Sequence, residues 1–358
     1  VALQHFRNYQ DVEVEFDRGT NILFGDNAQG KTNLLESIYV SGTSRSHKGS
    51  KDAEMIQFGH EEAHIRAVVE RNGLDHQIDM HLRQKKGKGI AVDRLPIRRA
   101  AELFGMLNVV FFSPEDLNLI KRGPSSRRRF LDMELCQLDK TYLYHLGNYN
   151  KSLAQRNELL KNIRFQPELK DTLPIWDMQF VHYGKEIIAS RRKFLVQLNE
   201  MIHGIHKGIS GGKEELVLEY RPDVAEDALE EKLFRNQERD LKFGMTSVGP
   251  HRDDLCFLIH NIDIRKFGSQ GQQRSCALSL KLSEIELVKE SVQDTPVLIL
   301  DDVLSELDSG RQNFLLNSIH DIQTIITCTG LDDFVKSRFQ INKIFKVVNG
   351  TVKAENRF

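Results

Sequence analysis

At 358 residues, with 40% hydrophobic and 28% charged residues and a formal net charge of −1, the chain has the composition of an ordinary globular protein. Such a length accommodates one large or two modest domains, and the near-zero charge argues against a uniformly basic nucleic-acid binder while leaving local patches open. No apolar stretch approaches the ~20 residues of a membrane span, no secretory signal opens the chain, and Cys136, Cys256, Cys276 and Cys328 sit isolated in apolar contexts, as expected of reduced core residues in a cytoplasmic protein.

The first residues read as strands: Val1-Ala2-Leu3, the alternation Val12, Val14, Phe16, a tight Arg18-Gly19 turn, and the run Thr20–Phe24. Val1 falls inside the first of these, which suggests that residues precede it. Phe24 leads into Gly25-Asp26-Asn27-Ala28-Gln29-Gly30-Lys31-Thr32: two glycines with four residues between them, then a lysine and a hydroxyl residue. The next seven residues have helical spacing. Strand, glycine loop and helix N-terminus form an anion cradle in which backbone N–H groups converge on phosphate. Lys31 is expected to reach the β and γ phosphates of a nucleoside triphosphate, and the Thr32 hydroxyl to hold Mg²⁺.

Ser41–Lys48 is polar and is expected to be ordered only by a ligand. Residues 61–94 alternate apolar and polar, as an antiparallel meander does. Its tip, Arg83-Gln84-Lys85-Lys86-Gly87-Lys88-Gly89, is a basic hairpin, and Lys85, Lys86 and Lys88 are candidate nucleic-acid contacts. After the apolar strand Asn108–Phe112, Ser113-Pro114-Glu115-Asp116 reads as a helix start. Gly123-Pro124 opens another helix, carrying Arg127, Arg128 and Arg129. Three adjacent arginines cannot share one face, so at least one pairs internally, while Arg127 and Arg128 remain candidates for phosphate. From about 138 to 207 two long helices follow, one striped by Leu146, Tyr149, Leu153, Leu160 and Ile163 with Arg156 in the seam. The other is striped by Trp176, Phe180, Tyr183, Ile187, Phe194, Leu198, Met201 and Ile205. Together they predict an arm roughly 40 Å long. A strand over Glu215–Tyr220 and a charged helix over Glu226–Leu241 come next. His251 and Arg252 lie in a Pro-containing turn, equally open to contacting DNA and to hydrogen-bonding the turn.

Val297-Leu298-Ile299-Leu300-Asp301-Asp302 is an apolar strand ending in two carboxylates. After a phosphate loop, such a pair suits Mg²⁺ coordination by Asp301 and orientation of the attacking water by Asp302. Just upstream, Ser269-Gln270-Gly271-Gln272 opens a helix and makes a second anion-binding terminus. This string resembles the signature motif of ABC-type ATPases, which reaches across a dimer to the partner's γ-phosphate. Ser305-Glu306-Leu307-Asp308 resembles the D-loop of the same interface.

The order and content of these strings resemble the RecF family of DNA recombination and repair proteins, relatives of SMC heads, over essentially the whole chain. Phe6-Arg7-Asn8-Tyr9, Ser113-Pro114-Glu115-Asp116-Leu117 and Arg127–Asp132 belong to the match, as do Gly249–Leu255 and Leu300–Asp308. The resemblance implies an α/β fold: an ABC-type P-loop ATPase head with an inserted helical arm. It implies a head part over 1–125, an arm over 126–240 and the rest of the head over 241–358. It also implies an ATP-dependent homodimer with ATP and Mg²⁺ as cofactors, Arg7 and Asn8 at the nucleotide, and each site completed by the other protomer's Ser269. DNA with gaps or single-strand/double-strand junctions, RecR, and through it RecO and RecA, are the implied partners. Two departures from the broader ABC pattern point to slow hydrolysis: Asp302 is one methylene shorter than the usual glutamate, and Thr327-Cys328-Thr329 stands where a switch histidine is expected. An SMC-type relative would need a long coiled coil. A transporter subunit would lack the arm and keep the histidine, and a nucleotide kinase would have no use for the signature.

Overall fold

The computed structural model describes residues 1–71, 73–330 and 341–355. The chain forms two compact units, Val1–Asp116 with Leu278–Phe358, and Leu117–Ala277. Residues 241–277, grouped with the head in the sequence reading, make their contacts in the second unit. The reason is strand pairing: Asp254–Ile259 lies antiparallel to Leu216–Arg221, which fastens this stretch to the arm.

In the first unit a six-stranded sheet runs in the order Thr351–Glu355, Ile341–Val348, Thr20–Phe24, Thr324–Cys328, Val297–Asp301, Val109–Phe112. All neighbours are parallel except the first pair. The central strands are buried along nearly their whole length because both faces are covered, as parallel sheets require. Residues Phe24, Asp301 and Cys328 therefore share one end of the sheet.

The second sheet of this unit is wholly antiparallel, in the order Tyr9–Glu13, Ala2–Phe6, Glu62–Arg71, Leu74–Arg83, Gly89–Val92, Leu95–Pro96. The expected meander is there, with one solvated face. Ile65, Ile78, Met80 and Leu82 are essentially fully buried on the other. At about 1.5–3 kcal/mol each, they contribute roughly 6–12 kcal/mol gross, and a one-residue slip would forfeit all of it. Segment Ser41–Lys48 departs from expectation. Ser41–Thr43 continue the helix Lys31–Thr43, and Ser44 and Ser46 are buried. The Ser46 hydroxyl donates to the Glu36 carboxylate, and the Lys48 amide donates to Ser46 Oγ, so internal bonds order this stretch.

In the second unit, helices Lys140–Asn162 and Leu173–Ile209 are antiparallel and span about 35 and 55 Å at 1.5 Å per residue. They are not a bare hairpin: the longer helix packs on strand Leu216–Arg221. Its buried stripe includes Ile188, Leu195 and Ile202 beside the expected Phe180, Ile187, Phe194 and Leu198, and Trp176 is only half-buried. The charged helix expected over Glu226–Leu241 is two short ones, Leu229–Arg235 and Gln237–Phe243, meeting at Asn236.

Buried charge pins this unit. Arg191 donates to Asp253 Oδ2 (2.8 Å), Asp132 Oδ1 (2.8 Å) and the Pro250 carbonyl (2.8 Å). Asp253 also accepts from the Tyr220 hydroxyl and the Asp223 amide (2.9 Å). Arg156 bridges Asp177 (2.6 Å) and Asp240 (2.7 Å). His251 is a half-buried turn residue: its ring meets the Tyr149 hydroxyl (2.6 Å) and the Thr246 carbonyl (3.2 Å). Burial, ahead of every other influence, pulls its pKa down to about 4.

A depressed histidine pKa means that the unfolded chain takes up the proton first. The stability His251 contributes is therefore complete above about 6.5 and is lost as pH falls toward 4. Comparing wild type with His251→Gln cancels the opposite influence of Asp253, whose carboxyl burial pushes up despite Arg191. Between pH 7 and pH 5 the wild-type urea midpoint should fall more steeply than the variant's. Parallel slopes would mean that His251 is not buried neutral.

Candidate nucleotide site

Strand Thr20–Phe24 ends in Gly25 (φ 152°), the loop turns through Ala28 (φ 64°), and Gly30 (φ 119°) caps the helix that starts at Lys31. A side chain at Gly30 would collide with Asn8 and the Tyr9 hydroxyl, so this φ and this crowding both require glycine. Asp26, Asn27 and Ala28 are exposed at the rim, while Lys31 is buried. The Lys31 ammonium curls back to the carbonyls of Gly25 (2.6 Å) and Asp26 (3.0 Å), which holds the loop as a ring around its charge.

Strand Thr324–Cys328 lies between the loop strand and Val297–Asp301, with Thr327 in register with both Leu23 and Asp301. That order brings four groups together. The hydroxyls of Thr32 (2.9 Å) and Thr327 (2.8 Å) both donate to Asp301 Oδ1, and the Asp302 amide donates to Thr327 Oγ1 (2.9 Å). Burial pushes the Asp301 carboxyl up, against the two hydroxyl bonds and nearby Lys48, so the site favours a neutralising partner there. Asp302 sits in the left-handed region at φ 53°, a conformation that costs a non-glycine residue of order 1 kcal/mol and that clusters at functional sites.

Arg7 and Asn8 build the frame behind the loop. Arg7 donates to both Glu36 oxygens (2.8 Å each), to the Glu54 carbonyl (2.6 Å) and to Ser50 (2.8 Å). Glu36 is buried, which alone would raise its pKa, but Arg7 and Ser46 outweigh burial and hold it below the usual range. Asn8 donates to the Gln29 carbonyl (3.0 Å) and accepts from Asn33 (2.8 Å), and the Tyr9 hydroxyl donates to the Gly30 carbonyl (3.0 Å). The C-terminal hairpin adds the Asn349 amide on Gln29 Oε1 (2.7 Å) and the Gly350 amide on the Gln29 carbonyl (3.0 Å). Sequence reasoning missed Tyr9, Glu36, Asn349 and Gly350. Only Tyr9 carried a signal, as part of the string Phe6–Tyr9.

In the second unit Ser269 and Gln272 form a reciprocal cap. The Gln272 amide donates to Ser269 Oγ (3.2 Å), the Ser269 amide donates to Gln272 Oε1 (2.9 Å), and Gln272 Nε2 reaches Glu214 (3.0 Å). Ser269 and Gln270 are exposed and Gly271 is half-buried, at the N-terminus of helix Gln270–Val292. In the first unit, Asp308 caps helix Ser309–Ser318 through the Arg311 amide (3.0 Å), and the exposed Ser305 donates to the Asp302 carbonyl (2.8 Å).

The candidate phosphate contacts divide. Lys85 and Lys86 are exposed at the hairpin tip, whereas Lys88 turns inward to the Ser44 carbonyl and Asp52 (3.0 Å). Arg127 is excluded as a surface contact. It is 2% exposed and spans Asp254 (2.6 and 2.9 Å) with further bonds to the carbonyls of Leu119 (3.1 Å) and Arg122 (2.7 Å). Arg128 is half-buried, with one donor on the Asp253 carbonyl (2.7 Å). A groove of about 1030 Å³ lies at the opposite ends of the strands among Phe16, Asn108, Thr295 and Lys343, and shares no residue with the phosphate loop.

The fold and the Lys31–Thr32–Asp301–Asp302 arrangement define an ABC-type P-loop ATPase head with a helical insertion. Residues 1–353 match the family model described as the RecF/RecN/SMC N terminal domain. The chain is 60% identical to the DNA replication and repair protein RecF of Agathobacter rectalis over 353 residues, 99% of this chain and 98% of that one. It is 59% identical to that of Lachnospira eligens over 358 residues, 99% of each. It belongs to the RecF family, which is an ATP-binding family of DNA replication and repair proteins. Solved structures of the recombination mediator protein RecF, described as RecF-ATP and RecF-ATPrS in the RecFOR pathway, are both 36% identical. Their TM-scores are 0.93 and 0.91, over 99% of this chain and 96% and 97% of theirs. An Smc head domain from Pyrococcus furiosus, 16% identical with a TM-score of 0.56 over 99% of this chain and 94% of that one, shares the fold alone.

Proposed function

We propose that this chain is a slow ATPase whose two-fold dimer, closed by ATP, binds DNA during recombinational repair. The observation that carries this reading is the exposed Ser269-Gln270 pair at the N-terminus of helix Gln270–Val292, a dipole end that favours an anionic ligand. In each protomer Lys31 would release its two carbonyls and neutralise the β and γ phosphates, while Thr32 and Asp301 hold Mg²⁺. Mg²⁺–ATP, when bound, supplies the phosphoanhydride whose cleavage resets the assembly. Asp302 would orient the attacking water. Its side chain is short, and the Thr327 hydroxyl is already committed to Asp301 and to the Asp302 amide, so turnover is slow and suits a timer of dimerisation. Arg7 and Asn8 act as positioning residues that keep the loop rigid. Weak ATPase activity stimulated by DNA fits this arrangement.

DNA binding would rest on Lys85 and Lys86 and on Arg128 and other surface cations, and would therefore be steeply salt-dependent and poor in sequence specificity. Junction preference, RecR as the immediate partner and RecO and RecA beyond it follow from family membership and from relatives described in the RecFOR pathway.

Solution mass with and without ATP tests the shared site. Asp302→Asn blocks hydrolysis without strain, since asparagine tolerates the left-handed backbone found there. ATP should double the mass of Asp302→Asn, and adding Ser269→Arg should abolish the doubling. A chain that stays monomeric at saturating ATP would sink the shared-site mechanism.

A further inference from the structure

The two antiparallel strands Glu62–Arg71 and Leu74–Arg83 place His64 directly opposite His81, and Glu62 two residues before His64 on the same solvated face. The two imidazole rings stack with centroids 4.2 Å apart, and His81 Nε2 lies 2.7 Å from Glu62 Oε2. One ligand atom from each of the three side chains lies within 4.8 Å of the other two. We propose that Glu62, His64 and His81 form a binding site for a late first-row divalent cation such as Zn²⁺, which staples these strands at the base of the basic turn.

The chemistry selects the ion. Two imidazoles and one carboxylate suit Zn²⁺ or its neighbours, whereas Mg²⁺ takes oxygen ligands and water. Zn²⁺ binds histidine nitrogen at about 2.0–2.1 Å and carboxylate oxygen at about 2.0–2.2 Å, so three donors this close can converge on one ion with small side-chain rotations, leaving a position for water. His81 Nε2 and Glu62 Oε2 now share a hydrogen bond, and a metal would take that place. Protons compete with a metal for imidazole nitrogen, so binding weakens in acid. His64 is already biased toward the neutral, ligating form by partial burial and then by His81. Facing the site are Arg83, opposite Glu62, the Arg66–Asp79 pair (2.8 Å) one step along the strands, and His5 on the neighbouring strand, itself stacked on His60 at 3.7 Å. Arg83 disfavours a cation and sets the affinity below that of a closed structural site. The placement gives the site a role. Gln84 bonds back to the Glu61 and His60 carbonyls, so Glu62, His64 and His81 sit where the strands open into Lys85 and Lys86. A bound cation would order that turn and add positive charge beside it.

Zn²⁺ titration of the full chain by calorimetry, with Mg²⁺ in large excess to saturate the phosphate-loop ligands, decides the matter. The expected result is one equivalent in wild type, weakened at least tenfold in His64→Ala or His81→Ala and absent in the double variant. Affinity should fall between pH 7.5 and pH 5.5, and Co²⁺ should give a visible absorption band only with the histidines present. All three residues are solvent-facing, so circular dichroism should be unchanged across the variants. Equal Zn²⁺ binding by wild type and the double variant, or no binding by wild type, overturns the proposal whatever becomes of the ATP-dependent dimer.

Discussion

Lys31→Ala should weaken Mg²⁺–ATP affinity by at least 100-fold. The ammonium is buried and presently satisfied by the carbonyls of Gly25 and Asp26, so its position at the centre of the loop is fixed before any ligand arrives. Two charge-assisted contacts to phosphate, at about 1.5–3 kcal/mol each, amount to roughly two to four orders of magnitude in affinity. Lys31→Arg should fare little better, because a planar fork cannot enter a ring shaped for a compact point charge. Thr327→Val supplies the contrast. It removes only the hydroxyl that links Asp301 to the Asp302 amide, so it should lower turnover about tenfold or more while changing affinity little. Calorimetric titration with ATP and a steady-state phosphate assay separate the two effects. Affinity for Lys31→Ala within threefold of wild type would remove the lysine from the site.

Arg191→Met should be the most destabilising single change in the second unit. It leaves the Asp253 carboxylate, which is fully buried, to the Tyr220 hydroxyl and the Asp223 amide, and it removes one donor each from Asp132, which keeps the Tyr142 hydroxyl, and from the Pro250 carbonyl. Breaking one side of a buried ion pair costs about 3–5 kcal/mol, because the remaining charge keeps its desolvation penalty. Arg192→Ala, one residue along on the exposed face and 3.6 Å from Glu226, should cost under about 1 kcal/mol. Hydrogen exchange in helix Leu173–Ile209 resolves the second unit's stability from the first unit's, which a single melting curve of a two-unit chain does not. A similar loss of protection in the two variants would show that the buried network is not what holds this unit.

The stretch Gly249–Asp254 gains a physical role from these contacts. Asp253 gathers Arg191 and Tyr220, Asp254 takes the bidentate Arg127, and the Asp253 carbonyl takes Arg128. Helices Pro124–Leu138 and Leu173–Ile209 and strand Leu216–Arg221 are thereby tied to one turn. The arginine run that looked like a phosphate contact is largely the other half of this fastener.

The sequence by itself determined the glycine loop, its strand and helix, the acid-ended strand, the helix start near Ser269, the antiparallel meander and the two long helices. Each is written locally: in glycines that a turn requires, in periods of 2 or 3.6, or in caps such as Gly123-Pro124. Only the tertiary structure decided that Thr32 and Thr327 meet on the same Asp301 oxygen, because that follows from a strand order joining residues some 270–300 positions apart. It also decided that Arg7 serves Glu36, that the hairpin around Asn349-Gly350 braces Gln29, and that Arg127, Lys88 and His251 face inward. A polar side chain in a sequence carries no mark of whether water or a distant carboxylate will be its partner. Burial chooses between them, and burial is set by which elements meet.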